Sequence, residues 1–253
     1  MKWDRGRIKN ALLLLLALAG LAVLAWRGGG GAVPADAPLM GGEALEEPAE
    51  DGSPKLIALT FDDGPRRSTT TDLLDGLAER GVHATFFLIG AQVADCRDVV
   101  RRMDREGHQI GIHTFDHVRL TDLNRADFDA QVETTRQALT SALGHDGFLL
   151  RPPYGMLDES VKAWAGCPII LWSIDPEDWK DRDRDRVVQA VVDQARDGGI
   201  ILMHDIFPQS VEAALEIVDA LHAQGYYFCT IEELFAARQI PLEAGKSYWN
   251  AYP

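Results

Sequence analysis

From residue 55 onward the chain alternates two kinds of segment, and this alternation limits the folds open to it more than any other feature. Short apolar runs occupy residues 55–61, 83–89, 108–112, 147–150, 168–174, 199–203 and 226–230. Longer amphipathic stretches lie between them at 70–80, 93–106, 125–143, 187–196 and 210–224, several closed by a glycine just past the periodic residues. Strands that alternate with helices pair in parallel through right-handed crossovers, which leaves an α/β open sheet or a β/α barrel.

The polar residues separate these two. Five of the seven runs end in a polar cluster: Asp62-Asp63 after the first, His113 to His117 after the third, Arg151 to Tyr154 after the fourth, Asp175 to Trp179 after the fifth, and His204-Asp205 after the sixth. An open sheet gathers its ligand groups at one switch point. In a barrel the C-terminal strand ends all converge on one face. Clusters spread along the strand series therefore predict an α/β fold of the barrel type, with about seven parallel strands over residues 55–237 and residues 238–253 as a C-terminal tail. Tyr248, Trp249 and Tyr252 in that tail suit either packing on the barrel or stacking on sugar.

Each cluster has a chemical and an ordinary reading. Asp62 and Asp63 are adjacent carboxylates before Gly64-Pro65; they either share a cation that offsets their repulsion or form an acidic turn. His113 and His117 stand at i and i+4, the spacing of two imidazoles on one metal, and an added Asp makes a three-ligand set with an open position for water; the same spacing also arises by chance. Thr114 occupies the place where a helix-borne zinc protease motif needs its glutamate base, which disfavours that class. Arg151, followed by Pro152 and Pro153, is a fixed permanent cation or simply the ion-pairing residue of a stiff loop. Asp178 and Trp179 bring acid and an aromatic face. His204, at the end of an apolar run, is a core histidine or a proton donor, and the four other clusters favour the donor.

Charge and the N-terminus place the chain. It has 253 residues, 46% of them apolar, and a net charge of −14, which argues against nucleic acid as a partner. Residues 1–31 carry five basic residues and one acid, leaving the rest at 20 against 38, or −18. Residues 11–26 hold no charge and are preceded by the basic stretch, the pattern of a membrane segment. It reads as an anchor that leaves the body extracytoplasmic on the cytoplasmic membrane, or as a signal peptide whose removal leaves a secreted or periplasmic protein. Residues 32–54 read as a flexible acidic linker. Cys96, Cys167 and Cys229 fit three buried thiols, or one bridge and a free thiol.

The ordered set Thr60 to Pro65, His113 to His117, Arg151 to Tyr154, Asp175 to Trp179 and Leu202 to His204 resembles the five motifs of the polysaccharide deacetylases of carbohydrate esterase family 4, the NodB homology domain, over roughly residues 53–236. The resemblance implies a distorted (β/α) barrel. It also implies a divalent metal, Zn2+ above all with Co2+, Ni2+ or Mn2+ as alternatives, and hydrolysis of N-acetyl groups on an N-acetylglucosamine polysaccharide such as peptidoglycan or a chitin-like glycan. By that resemblance Asp62 is the catalytic base and Asp63, His113 and His117 are the metal ligands. Arg151 orients the base, the Tyr154 backbone N–H is the oxyanion donor, His204 is the acid and Asp178 its partner. Tyr154, Trp179 and Leu202 contact the substrate. Two alternatives remain: an O-acetyl esterase acting on sugars such as acetylated xylan, and a tethered glycan-binding protein without catalysis.

Overall fold

The computed structural model describes residues 54–180 and 183–253. The expected membrane segment at 1–31 lies outside the described residues, as does all of the expected linker except residue 54. Among the described residues no helix is long and apolar enough to cross a membrane.

The alternation is realised. In chain order the elements are β1 (Lys55–Asp62), α1 (Arg67–Arg80), β2 (Thr85–Leu88), α2 (Gly90–Val93), α3 (Arg97–Arg105), β3 (Gln109–Ile112), α4 (Arg125–Leu143), β4 (Leu149–Leu150), α5 (Glu159–Trp164) and β5 (Ile169–Ile170), then α6 (Arg184–Gln194), β6 (Gly199–His204), α7 (Pro208–Ala223), β7 (Tyr226–Cys229), α8 (Ile231–Ala237) and β8 (Ser247–Tyr248). Local chemistry sets several ends. The Asn124 side chain accepts from the Asp127 N–H at the start of α4, and Gly144 closes it at φ 81. Thr230 and Glu233 form a capping box at the start of α8.

Every strand pairing is parallel, in the order β6-β1-β2-β3-β4-β5-β8, with β7 pairing β1 off this path. The seven expected strands are present, and the expected tail adds an eighth, pairing Ile169 with Ser247 and Ile170 with Tyr248. Beyond β5 the chain reaches across to β6 through a single parallel bridge, Ile174 to Ile201. The sheet is thus an incomplete barrel, drawn together at its ends by one bridge instead of a full ladder. The tail packs back: Ala251 is fully buried and its N–H donates to the Gly198 carbonyl at 2.8 Å.

The strands are buried on both faces, as parallel strands covered by helices are, and their residues alternate between two cores. Ile57, Leu59, Phe61, Phe86, Leu88, Ile201 and Met203 pack with residues of α1, α4 and α7. Ala58, Phe87, Leu149, Ile170 and Ile200 form the second, inner core with Ile231, Leu234 and Phe235 of α8. Thr60 and Asp62 continue the inner row of β1, and Leu202 and His204 that of β6. The inner row therefore turns from apolar to polar toward the C-terminal strand ends.

One glycine fixes how this interior packs. Gly111 is the register partner of Phe87, and a Cβ on it would lie 2.5 Å from the Phe87 ring. That ring in turn lies beneath the Arg151 guanidinium, 4.1 Å from centroid to Cζ. Gly111→Ala should displace Phe87, lowering stability by about 1–3 kcal/mol. Chemical denaturation measures it, and an unchanged unfolding midpoint would contradict this packing.

Candidate active site and metal centre

The expected residues meet at the C-terminal strand ends. Asp62 and His204 are register partners at the last positions of β1 and β6. His113 follows β3, with its N–H on the Leu88 carbonyl at 2.9 Å, and Arg151 follows β4, with its N–H on the Ile112 carbonyl at 2.9 Å. Of the non-glycine residues with positive φ among those described, five sit in these loops: Asp63 (70°), Thr114 (61°), His117 (57°), Tyr154 (63°) and Glu177 (55°). Left-handed backbone at such residues is costly and collects where geometry is dictated by function.

Arg151 is fully buried. Its Nη1 donates to Asp62 Oδ1 at 2.8 Å and to Thr60 Oγ1 at 2.7 Å, its Nε to the Ile170 carbonyl at 3.2 Å and its Nη2 to the Leu171 carbonyl at 3.0 Å. Burial lowers its pKa and the Asp62 carboxylate opposes the shift, but a guanidinium has ample margin to stay charged. Of the two sequence readings, ion-pairing loop residue and fixed cation in the site, the geometry shows both at once.

Asp63, His113 and His117 bring one ligand atom each to within 4.8 Å of one another. Asp63 Oδ1 lies 3.2 Å from His117 Nε2 and 3.5 Å from His113 Nε2, and it is buried without a hydrogen-bond donor. An orphaned carboxylate oxygen facing two imidazole nitrogens is a donor set suited to a divalent cation. The carbonyl of Arg151 lies 2.8 Å from His113 Nδ1. Placing the ring proton on Nδ1 leaves the Nε2 lone pair for a metal, the usual outer support of a ligating histidine. Burial and then the neighbouring His113 lower the pKa of His117, favouring its neutral, ligating form. The residues fit a metal.

His204 Nδ1 lies 2.8 Å from Asp178 Oδ1, and the His204 backbone N–H donates to Asp178 Oδ2 at 2.9 Å. Asp178 is fully buried, so it clamps both backbone and ring of one residue. Tyr154 stands on a turn after two prolines, 59% exposed, its ring 4.8 Å from that of His117. Trp179 is 49% exposed beside buried Asp178, and Leu202 is buried two residues before His204.

Comparison with known proteins agrees with this geometry. The family model described as polysaccharide deacetylase matches residues 49–166. The peptidoglycan-N-acetylmuramic acid deacetylase PdaC of Bacillus subtilis is 40% identical over 189 residues, 75% of this chain and 40% of that protein. The chitooligosaccharide deacetylase of Sinorhizobium fredii is 38% identical over 192 residues, 69% of this chain and 89% of that protein. The chain belongs to the polysaccharide deacetylase family. A solved T48 deacetylase with substrate matches this polysaccharide deacetylase family member at 40% identity and a TM-score of 0.74, covering 77% of this chain and 96% of that one. The chain spans only about two fifths of the length of the Bacillus relative.

In this member of the polysaccharide deacetylase family, two contacts escape the motifs. Asp205 is fully buried, accepts from the Thr70 hydroxyl, and lies so close to Gly64 that a Cβ there would be 2.6 Å from its Oδ1. Burial pushes its pKa up to about 7. Asp205 thus dictates a glycine after the paired carboxylates from 141 residues away, and only its place beside His204 hints at this. Trp172 similarly underlies Gly155, where a Cβ would meet its ring at 2.7 Å. The three cysteines are buried free thiols.

The His204 pKa is raised to about 9: burial lowers it, but the Asp178 hydrogen bond and charge, then Asp62 and Asp63, outweigh that. A folded pKa above the ordinary 6.5 means that protonated His204 stabilises the fold fully below about pH 6.5, and that this contribution vanishes as pH rises through about 9. In metal-free protein, the Tm difference between wild type and His204→Gln should be constant on the acid side and shrink across that window. A difference independent of pH would contradict the assignment.

Proposed function

We propose that this chain is a metal-dependent hydrolase that removes N-acetyl groups from an N-acetylglucosamine-containing envelope polysaccharide such as peptidoglycan, releasing acetate. The observation that carries the reading is the shared location of three elements at one set of strand ends. These are the Asp63, His113 and His117 donor set, the Arg151-bound Asp62, and the Asp178-bound His204. The named activities of the peptidoglycan and chitooligosaccharide deacetylase relatives support it.

Asp63, His113 and His117 would hold the cation, with zinc favoured by two imidazoles and one carboxylate and cobalt, nickel or manganese also accepted by such a set. Bound there, it supplies Lewis acidity, polarising the amide carbonyl and acidifying an adjacent water. Asp62, held in place by Arg151, takes the proton of the attacking water. The water oxygen joins the acetyl carbon, and the Tyr154 N–H donates to the oxyanion that develops, a contribution of roughly 3 kcal/mol for a well-placed donor. His204, its Nδ1–H donated in a hydrogen bond to Asp178 and kept on the ring, delivers the Nε2 proton to the nitrogen as the C–N bond breaks, leaving acetate and a free amine. Trp179 and Leu202 wall the acetyl group.

The same reading puts the domain outside the cytoplasmic membrane, tethered by residues 1–31 or released by their removal. Acetate release from a panel of acetylated glycans, with chelation and metal add-back, tests the function. N-acetylglucosamine oligomers should be deacetylated in a metal-dependent way; acetate only from acetylated xylan would make it an O-acetyl esterase, and glycan binding without acetate a non-catalytic protein. His204→Ala should keep the metal and lose turnover by about 10²–10⁴-fold, whereas His113→Ala should lose the metal itself. Near-wild-type turnover of His204→Ala would overturn its role as the acid.

A further inference from the structure

Two buried cations of the site each have a carboxylate: Arg151 has Asp62 and His204 has Asp178. Arg119 is different. It is exposed, and among the described residues its guanidinium has no carboxylate partner; it lies over the Tyr154 ring, 5.3 Å from Cζ to centroid. That ring touches His117, 4.8 Å between centroids. The nearby exposed carboxylate of Asp116 is engaged by Gln131, whose Nε2 donates to its Oδ2 at 3.0 Å.

The backbone that projects Arg119 is held at both sides. His117 lies two residues before it, and Leu120, 1% exposed, is packed into the core directly after it. A guanidinium stacked on an aromatic face keeps its in-plane donors free, and these match a carboxylate in bidentate geometry. A chain of net charge −14 repels an anionic polymer as a whole. An unmatched cation at the rim, two ring contacts from Asp63 through Tyr154 and His117, offsets that repulsion where the glycan must sit.

We propose that Arg119, stacked on Tyr154, is a specificity-determining residue that binds a carboxylate carried by the glycan beside the reacting acetamido sugar. The proposal rests on the deacetylase reading and names the substrate class of that site: an anionic, carboxylate-bearing N-acetylated glycan in preference to a neutral one. In peptidoglycan the carboxylate comes from the lactyl ether of muramic acid or, where that group is amidated, from the peptide attached to it.

The test titrates metal-loaded wild type, Arg119→Gln and Arg119→Lys with three oligomers of equal length: neutral N-acetylglucosamine, peptide-free alternating N-acetylglucosamine and N-acetylmuramic acid, and the same alternating glycan bearing peptide. Its readout is the ratio of the neutral to the anionic Kd. Wild type should prefer the anionic glycan, Arg119→Gln should reduce the preference about threefold to tenfold, Arg119→Lys should keep part of it, and added salt should weaken it. A drop confined to the peptide-free glycan assigns the lactyl carboxylate, and one confined to the peptide-bearing glycan assigns the peptide. A parallel loss of affinity for all three oligomers, as expected if Arg119 only props Tyr154, overturns the proposal, and so does an unchanged ratio. Acetate is measured on the same samples. Failure of wild type to release any would strike the deacetylase reading alone, since the binding ratio judges Arg119 in either case.

Discussion

The ion pair between Arg151 and Asp62 organises the rest of the site. Both side chains lie in the barrel interior, where removing one partner of a charge pair typically costs about 3–5 kcal/mol and a well-packed apolar replacement of both would be neutral or better for stability. Arg151 repeats its work through its backbone. The guanidinium ties Asp62 and Thr60 of β1 to the carbonyls of Ile170 and Leu171, while its own carbonyl faces His113 Nδ1. One residue after β4 therefore positions the candidate base on β1 and turns a candidate ligand after β3. An apolar pair of the same volume would fill the space and do neither.

This arrangement also resolves the problem of two adjacent carboxylates. Asp62 and Asp63 take different main partners: Asp62 Oδ1 accepts from the guanidinium, its Oδ2 lying 3.7 Å from His113 Nε2, whereas Asp63, through its left-handed backbone, faces both imidazoles at 3.5 and 3.2 Å. A third carboxylate, Asp178, takes the ring and backbone of His204. Three acids close in space serve three separate positive or proton-bearing groups, and the strain that separates them is confined to loops resting on buried parallel strands.

The strand series was legible because parallel strands buried on both faces read as unbroken apolar runs, as at Gly199 to Met203. β8 was not legible, since Ser247 and Tyr248 carry no apolar pattern and form a strand only against β5. The α8 helix is not among the amphipathic stretches, although Thr230 and Glu233 spell a capping box. At the site the motifs name residues that the structure gathers at one set of strand ends, but the sequence leaves Arg151 between loop and site because burial inside a barrel depends on packing from four strands. The Gly64–Asp205 contact was invisible for the same reason: 141 residues separate the partners, and it is written in no local pattern.

Crystallisation with zinc and anomalous diffraction at the zinc edge test the central claim that Arg151 reserves Asp62 for chemistry while Asp63 and the two histidines take the metal. The account predicts one zinc at about 2.0–2.2 Å from Asp63 Oδ1 and from the Nε2 atoms of His113 and His117, with Asp62 still on the Arg151 guanidinium and off the metal. Zinc coordinated by Asp62, or bound away from these three residues, would contradict it.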